Sequence, residues 1–347
     1  MVEFVADAGN KRPMVHGVDM LRILAAVWVA LYHGAAPNLG AMVSPFSKAA
    51  GNVLHLAMGN LFNGSAAVAI FFIISGFCIH YPNVGKPTLD WRTFACRRGV
   101  RIGLPMLAIL AVALSLGGQF REIELNLFWS LYCELIYYAI YPLLFEALKR
   151  VKLQHVFYGS VAISAVMLVL EPRNPVLWSF GVQWTWLFCY PGWLLGALLA
   201  QNFNHDKKPV FSSPWVLRGA MLVLGAVSTG LKFHTPIGIP WTIAPILAVG
   251  YFWVRDELLI FKPDALKGQL EKLGKGSYTL YLVHVQVLTA LVPFAAKWNP
   301  VLFWLCTLAA LSIVATAFYF AIERPAHKLA QRIKIKRPAI KPIPASE

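Results

Sequence analysis

Apolar runs long enough to cross a lipid bilayer recur from residue 18 to residue 322, and this recurrence restricts the chain to one kind of fold. Inside hydrocarbon every backbone N–H and C=O must find a partner within the protein, which favours helices whose hydrogen bonds are all internal. A helix needs about 20 residues to span the apolar layer. Windows near 18–36, 64–82, 102–118, 126–146, 156–170, 184–201, 218–232, 241–254, 278–296 and 300–322 fit, those at 218–232 and 241–254 being the short ones. The expected fold class is all-α, a polytopic membrane helical bundle of about ten transmembrane helices. Charge agrees, since 14% of residues are charged against about 25% in a soluble domain.

The basic residues orient the bundle. With the N-terminus in the cytoplasm, the inner segments hold 24 of the 31 Lys and Arg residues. The outer segments hold five, Lys48, Arg121, Arg173, Lys232 and Lys297, while Arg22 and Arg218 stand at the starts of spans. Such a bias places both termini on the cytoplasmic side. The expected organisation is a cytoplasmic segment 1–17, a transmembrane domain 18–322 and a basic cytoplasmic tail 323–347. A net charge of +15 raises the question of nucleic acid, but the bases sit in short runs between apolar stretches, the pattern of topology signals and headgroup contacts. Residues 1–36 have the basic start and apolar run of a signal peptide, but Arg22 and His33 interrupt it, so a retained first helix is expected. The outward connections are short except for 34–63. The five cysteines form no C-x-x-C and read as small buried hydrophobes, and no metal-ligand spacing occurs.

Ionisable groups inside a membrane are costly and face the bundle interior, where they mark function or satisfied structural contacts. Arg22 and His33 are eleven residues apart in the first helix, about three turns and about 16 Å, so they point the same way at different depths. In the fourth helix Ser130, Glu134, Tyr137 and Tyr141 form one polar stripe. Glu134 is expected in the outer half, near the depth of His33, where a buried carboxylate needs a cationic or hydrogen-bonding partner. In the second helix Ser75-Gly76 permits close helix approach or a local break. Ser277, Tyr281 and His284 share a face in the inner half of the ninth helix. Arg92, Arg97, Arg98 and Arg101 follow the second helix; they serve as topology charge or, if the segment is helical, as a phosphate clamp.

Together these segments resemble the acyltransferase-3 family of integral-membrane acyltransferases. The likeness rests on Arg22-x10-His33 within Gly17-Val18-Asp19-Met20-Leu21-Arg22, and on Phe71-Phe72-x-x-Ser75-Gly76-Phe77. It rests also on Phe94-x-x-Arg97-Arg98-x-x-Arg101-Ile102 and Trp129-Ser130-Leu131-x-x-Glu134-x-x-x-Tyr138. Ser277-Tyr278-x-x-Tyr281-x-x-His284 and Glu323-Arg324-Pro325 add to it. Two features depart from the family pattern: Pro105 comes one residue late, and Cys133-Glu134-Leu135 lacks a second acid.

The resemblance implies a stand-alone membrane O-acyltransferase of a bacterial inner membrane. It would move an acyl group, most simply acetyl, from cytoplasmic acyl-CoA to a hydroxyl of a surface or exported glycan or lipid-linked sugar. Acyl-CoA is then a co-substrate, and no permanently bound cofactor is expected. His33 is the expected general base, with Glu134 orienting it and Arg22 either stabilising the thioester oxygen or binding the donor. Arg98 and Arg101, assisted by Arg97, would hold the CoA phosphates, and Ser75, Tyr281 and His284 would line the pantetheine arm. The competing reading is a proton-coupled secondary transporter with Arg22, His33 and Glu134 as its relay.

Overall fold

A computed structural model describes residues 13–118, 128–211, 213–262, 264–295 and 297–335. Residues 1–12 of the N-terminal segment, Arg121 with the start of the 126–146 window, and the tail from 336 onward lie outside the described residues. The described residues are helical, with no strand among them. In chain order the helices are α1 (Val18–Ala30), α2 (Leu39–Val43), α3 (Lys48–Leu61), α4 (Gly64–His80), α5 (Trp91–Arg98), α6 (Leu104–Leu116), α7 (Trp129–Ala147) and α8 (Leu153–Leu170). They continue with α9 (Val182–Asn202), α10 (Pro214–His234), α11 (Ile239–Ile260), α12 (Ala265–Leu273), α13 (Ser277–Ala295), α14 (Pro300–Phe318) and α15 (Arg324–Arg332).

Each expected window coincides with a helix. Seven helical stretches are long and apolar enough to cross a membrane: Val18–Ala35, Lys48–Asn83, Trp91–Leu116, Leu153–Leu170, Pro214–His234, Ala265–Ala295 and Pro300–Arg332. The helices α7, α9 and α11 fall short by composition, being rich in Tyr, Trp, Pro or acidic residues that are satisfied inside the bundle. The windows at 218–232 and 241–254 extend to full helices, 21 and 22 residues long. The connection 34–63, expected as an outward loop, instead contains α2 and α3. Asn38 and Ser47 cap their starts by accepting from the N–H groups of Ala41 and Ala50. At residue 323, the expected start of the basic tail, the chain stays helical, α14 running on through a π-helical turn into α15.

The centre of the bundle is α4, apolar all round, with fifteen of its 17 residues buried. Its partner is α9, and glycines set their separation. A Cβ on Gly76 would lie 1.9 Å from the Trp193 carbonyl oxygen, and one on Gly196 would lie 1.9 Å from that of Ile73. Of the two uses open to Ser75-Gly76, close approach is therefore the one realised, and α4 runs unbroken. Trp193, Tyr137 and Tyr141 are fully buried against this pair. Outward faces carry Leu107, Val112, Leu114, Val166, Leu170, Leu305 and Ile313, an apolar rim suited to lipid.

Three single π-helical turns interrupt the helices, at Leu31–Ala35, Gly99–Gly103 and Tyr319–Glu323. Each holds an ionisable residue: exposed His33, half-buried Arg101 and buried Glu323. Such turns widen a helix by one residue and re-aim the side chains beside them.

Candidate functional site

The polar residues of α1, α4, α7 and α13 converge on one interior chamber. It is walled by Arg22 of α1, Ser75 of α4, Ser130, Glu134 and Tyr138 of α7, and Tyr278 and Tyr281 of α13, with Arg98, Arg101 and Glu323. About 930 Å³ lies between its atoms, including its opening to solvent. Six of the nine residues selected from sequence, Arg22, Ser75, Arg98, Arg101, Glu134 and Tyr281, line this single space.

Glu134 is fixed by hydroxyls rather than by imidazole. Ser75 donates to its Oε1 at 2.8 Å, Tyr138 donates to the same oxygen, and Trp193 Nε1 donates to Ser75 Oγ at 3.3 Å. The expected contact with His33 is absent. Counting depth from helix ends assumes that every helix starts in one plane, whereas α4 and α7 pack so that Glu134 is level with Ser75, five residues from the end of α4. The arginines sit beside it: the Arg98 guanidinium lies over the Tyr138 ring at 5.7 Å, and Arg22 is paired with Asp19 at 3.6 Å. The arginine segment is helical, and the π-helical turn after α5 brings Arg101 into the same space as Arg98.

Arg97 faces elsewhere. Its Nε donates to the carbonyl of Ile333 at 2.9 Å, and Ile335 N–H donates to Thr93 Oγ1 at 3.1 Å, so α5 anchors the chain that leaves α15. Arg97 does not line the chamber, because successive residues of a helix point about 100° apart.

His284 also differs from expectation. It does not line the chamber but lies beyond Tyr281, fully buried, with its Nε2 3.2 Å from His33 Nδ1. The two rings are 5.1 Å apart, centre to centre. The start of α1 explains the shared depth: Gly17 N–H is held by both oxygens of Glu271 at 3.0 Å, and Gly274 abuts the Asp19 carbonyl. Residue 274 is thus level with residue 19, and the 3₁₀ turn Gly274–Gly276 followed by eight residues of α13 carries His284 alongside α1 to His33.

The partners of this pair fix its tautomers. His284 Nδ1 faces only carbonyl oxygens, Tyr281 at 2.7 Å and Leu280 at 3.2 Å, so Nδ1 carries the proton and Nε2 accepts. His33 Nδ1 therefore has two acceptors as neighbours, His284 Nε2 and the Val29 carbonyl at 2.9 Å, and it is the donor. The lone pair of neutral His33 then resides on Nε2, at the exposed end of α1 where Gly34 leaves the helix at φ 118°. Ser130 Oγ and Tyr281 OH, 2.6 Å apart, link the chamber to this pair through α13.

Glu323, which the sequence offered only as part of a motif, is a structural and electrostatic member of the site. It accepts from Thr279 N–H at 3.0 Å and Thr279 Oγ1 at 2.5 Å, capping the first turn of α13 while facing Arg22 and Arg101. Tyr278 donates to the Ile102 carbonyl at 2.9 Å and fastens α13 to the arginine segment.

A family model for an acyltransferase domain, that of the acyltransferase-3 family, matches residues 15–320. The chain belongs to the acyltransferase-3 family. It is a multi-pass membrane acyltransferase, and its chamber and histidine pair lie within the matched residues except for Glu323. The acyltransferase MdmB of Streptomyces mycarofaciens is 20% identical over 343 residues, covering 82% of this acyltransferase and 86% of that protein. No solved structure matches it.

Proposed function

We propose that this acyltransferase moves an acyl group, acetyl in the simplest case, from cytoplasmic acyl-CoA to a hydroxyl of a surface or exported glycan or lipid-linked sugar. The bundle would cross a bacterial inner membrane ten times with both termini cytoplasmic, in keeping with the basic bias of one set of connections. One observation carries the reading: polar groups run through the interior from Arg22, Arg98 and Arg101, past Ser75, Glu134, Ser130 and Tyr281, to buried His284, which meets exposed His33. Burying so many polar groups is costly unless they serve chemistry or a path.

In the proposed step the acceptor oxygen attacks the thioester carbonyl while its proton passes to His33 Nε2. The ester C–O bond forms, the C–S bond breaks, and the proton passes on to the departing CoA sulfur. His284 Nε2, as acceptor for His33 Nδ1–H, is the positioning residue, the role expected of Glu134. It serves both the neutral ring and the imidazolium, because Nδ1–H is a donor in each. Glu134 is read instead as the counter-charge that holds the arginines at the donor's end of the chamber. Arg22 belongs with the donor, since it lies about 16 Å below His33 along α1. Arg98 and Arg101 face the chamber and Arg97 does not, so the donor contact expected of all three is kept for two. The transporter alternative is not favoured: the chain is an acyltransferase, and no hydrogen bond joins His33 to Glu134 to complete the relay.

The test is acyl transfer in membranes carrying His33→Ala, followed by radiolabelled acetyl-CoA and by mass spectrometry of the surface polysaccharide. General-base loss lowers transfer by about 10²–10⁴-fold. Near wild-type transfer at normal protein level would remove His33 from the mechanism.

A further inference from the structure

The chamber opens into a second cavity that no step so far uses. Its walls are Asp19, Arg22, Arg101, Lys275, Glu323, Arg324, His327, Lys328 and Gln331, with Tyr319. Arg22, Arg101 and Glu323 line both spaces, so the two are continuous. The inner cations already have counter-charges, Asp19 beside Arg22 and Glu323 facing Arg22 and Arg101. The outer cations do not. Lys275, Arg324 and Lys328 are exposed and make no ion pair among the described residues, and Arg324 rests on the Phe320 ring at 5.4 Å. Two of the three stand on α15, whose Ala326 and Ala330 are buried against the bundle and whose exit is anchored by the Arg97–Ile333 and Thr93–Ile335 bonds. Three uncompensated cations held around the mouth of a chamber form an electrostatic funnel for a multiply charged anion.

We propose that this vestibule binds the 3′-phospho-ADP end of the acyl-CoA donor through Lys275, Arg324 and Lys328. The proposal rests on the acyl-CoA reading above and relocates the phosphates from the chamber to its mouth. The nucleotide carries several negative charges and stays near water, where Lys and Arg meet it without the cost of burying the ions. The uncharged pantetheine arm threads past Arg22 and Arg101 into the chamber, leaving Arg98 to act on the arm. Arg97 then has an indirect part, keeping α15 over the mouth. A rival basic groove exists around Lys86, Lys149, Arg150 and Lys152, where Lys149 is already paired with Glu146. That groove shares no wall with the chamber, so a nucleotide held there has no continuous way in.

The experiment measures binding of two donors, acetyl-CoA and S-acetylpantetheine, to the full chain in lipid nanodiscs. Both present the same thioester, and only the first carries phosphates. The variants are Lys275→Gln with Lys328→Gln, both exposed positions, and Lys149→Gln with Arg150→Gln as the control in the other groove. The expected result is a loss of about tenfold or more in acetyl-CoA affinity for the vestibule variant. Its S-acetylpantetheine binding is expected to match wild type, its salt dependence to flatten, and the control to bind normally. Wild-type acetyl-CoA affinity in the vestibule variant, or an equal loss for both donors, overturns the vestibule alone. Failure of the unaltered protein to bind acetyl-CoA overturns the donor reading and the vestibule with it.

Discussion

At the residue scale, the proposed chemistry turns on which atom of each histidine carries its proton. His284 Nδ1 meets two carbonyl oxygens, which fixes the direction of every later bond and leaves His33 Nε2 as the basic atom. A substitution that keeps the ring and removes the acceptor isolates this effect. For His284→Phe, kcat is expected to fall by about 10- to 100-fold, the worth of a hydrogen bond to a charged group. The KM for acyl-CoA is expected to stay near wild type. A raised KM with unchanged kcat would instead return His284 to the pantetheine path that its sequence position suggested. Glu134 and Ser75 were both legible as functional candidates, since buried polar groups in apolar helices stand out. Their partnership was not, because Ser75 and Glu134 are 59 residues apart and their meeting depends on the axial offset of two helices.

At the element scale, the α4–α9 contact and the capping of α13 position the chamber. Gly76 and Gly196 bring each backbone against the other's carbonyl, leaving no room for a methyl group. Gly196→Ala is expected to cost about 1–3 kcal/mol as an overpacked contact, read as a lower midpoint of thermal unfolding in detergent. An unchanged midpoint would mean that α9 shifts without penalty and that the glycine is incidental. Glu323 works differently, satisfying a first-turn N–H of α13 and the Thr279 hydroxyl. Glu323→Ala removes that cap and is expected to cost about 0.5–2 kcal/mol, read as a lower midpoint of thermal unfolding in detergent. Glu323→Gln, which still accepts a hydrogen bond, is expected to recover most of that stability. No recovery would show that Glu323 is needed as a charge for folding itself.

At the scale of the whole molecule, the topology is open to direct measurement. In a variant without its native cysteines, Arg173→Cys and Lys297→Cys are expected to react with an impermeant maleimide on intact cells. Lys207→Cys is expected to react only after lysis; the reverse pattern would invert the bundle and move the vestibule to the wrong side for acyl-CoA. The windows, the helical class and the basic bias were legible from the sequence because they rest on local physics: hydrocarbon forces each backbone to bond within itself, and apolar length counts residues directly. The helices α2 and α3 escaped that reading, since α2 has only five residues and α3 interleaves Lys48, Asn52, His55 and Asn60 with its apolar residues. Arg22, Ser75, Glu134 and Tyr281 declared themselves as polar residues on apolar helices, and Arg98 and Arg101 as a spaced basic cluster after the second helix. Tertiary structure alone decided that Glu134 meets hydroxyls, that His33 meets His284, that Arg97 turns away and that Lys275, Arg324 and Lys328 ring the mouth. The physical reason is that a sequence fixes which residues share a face of one helix, whereas the rotation and offset between helices come from close contacts such as Gly76 on Trp193 and from the π-helical turns at 31–35, 99–103 and 319–323.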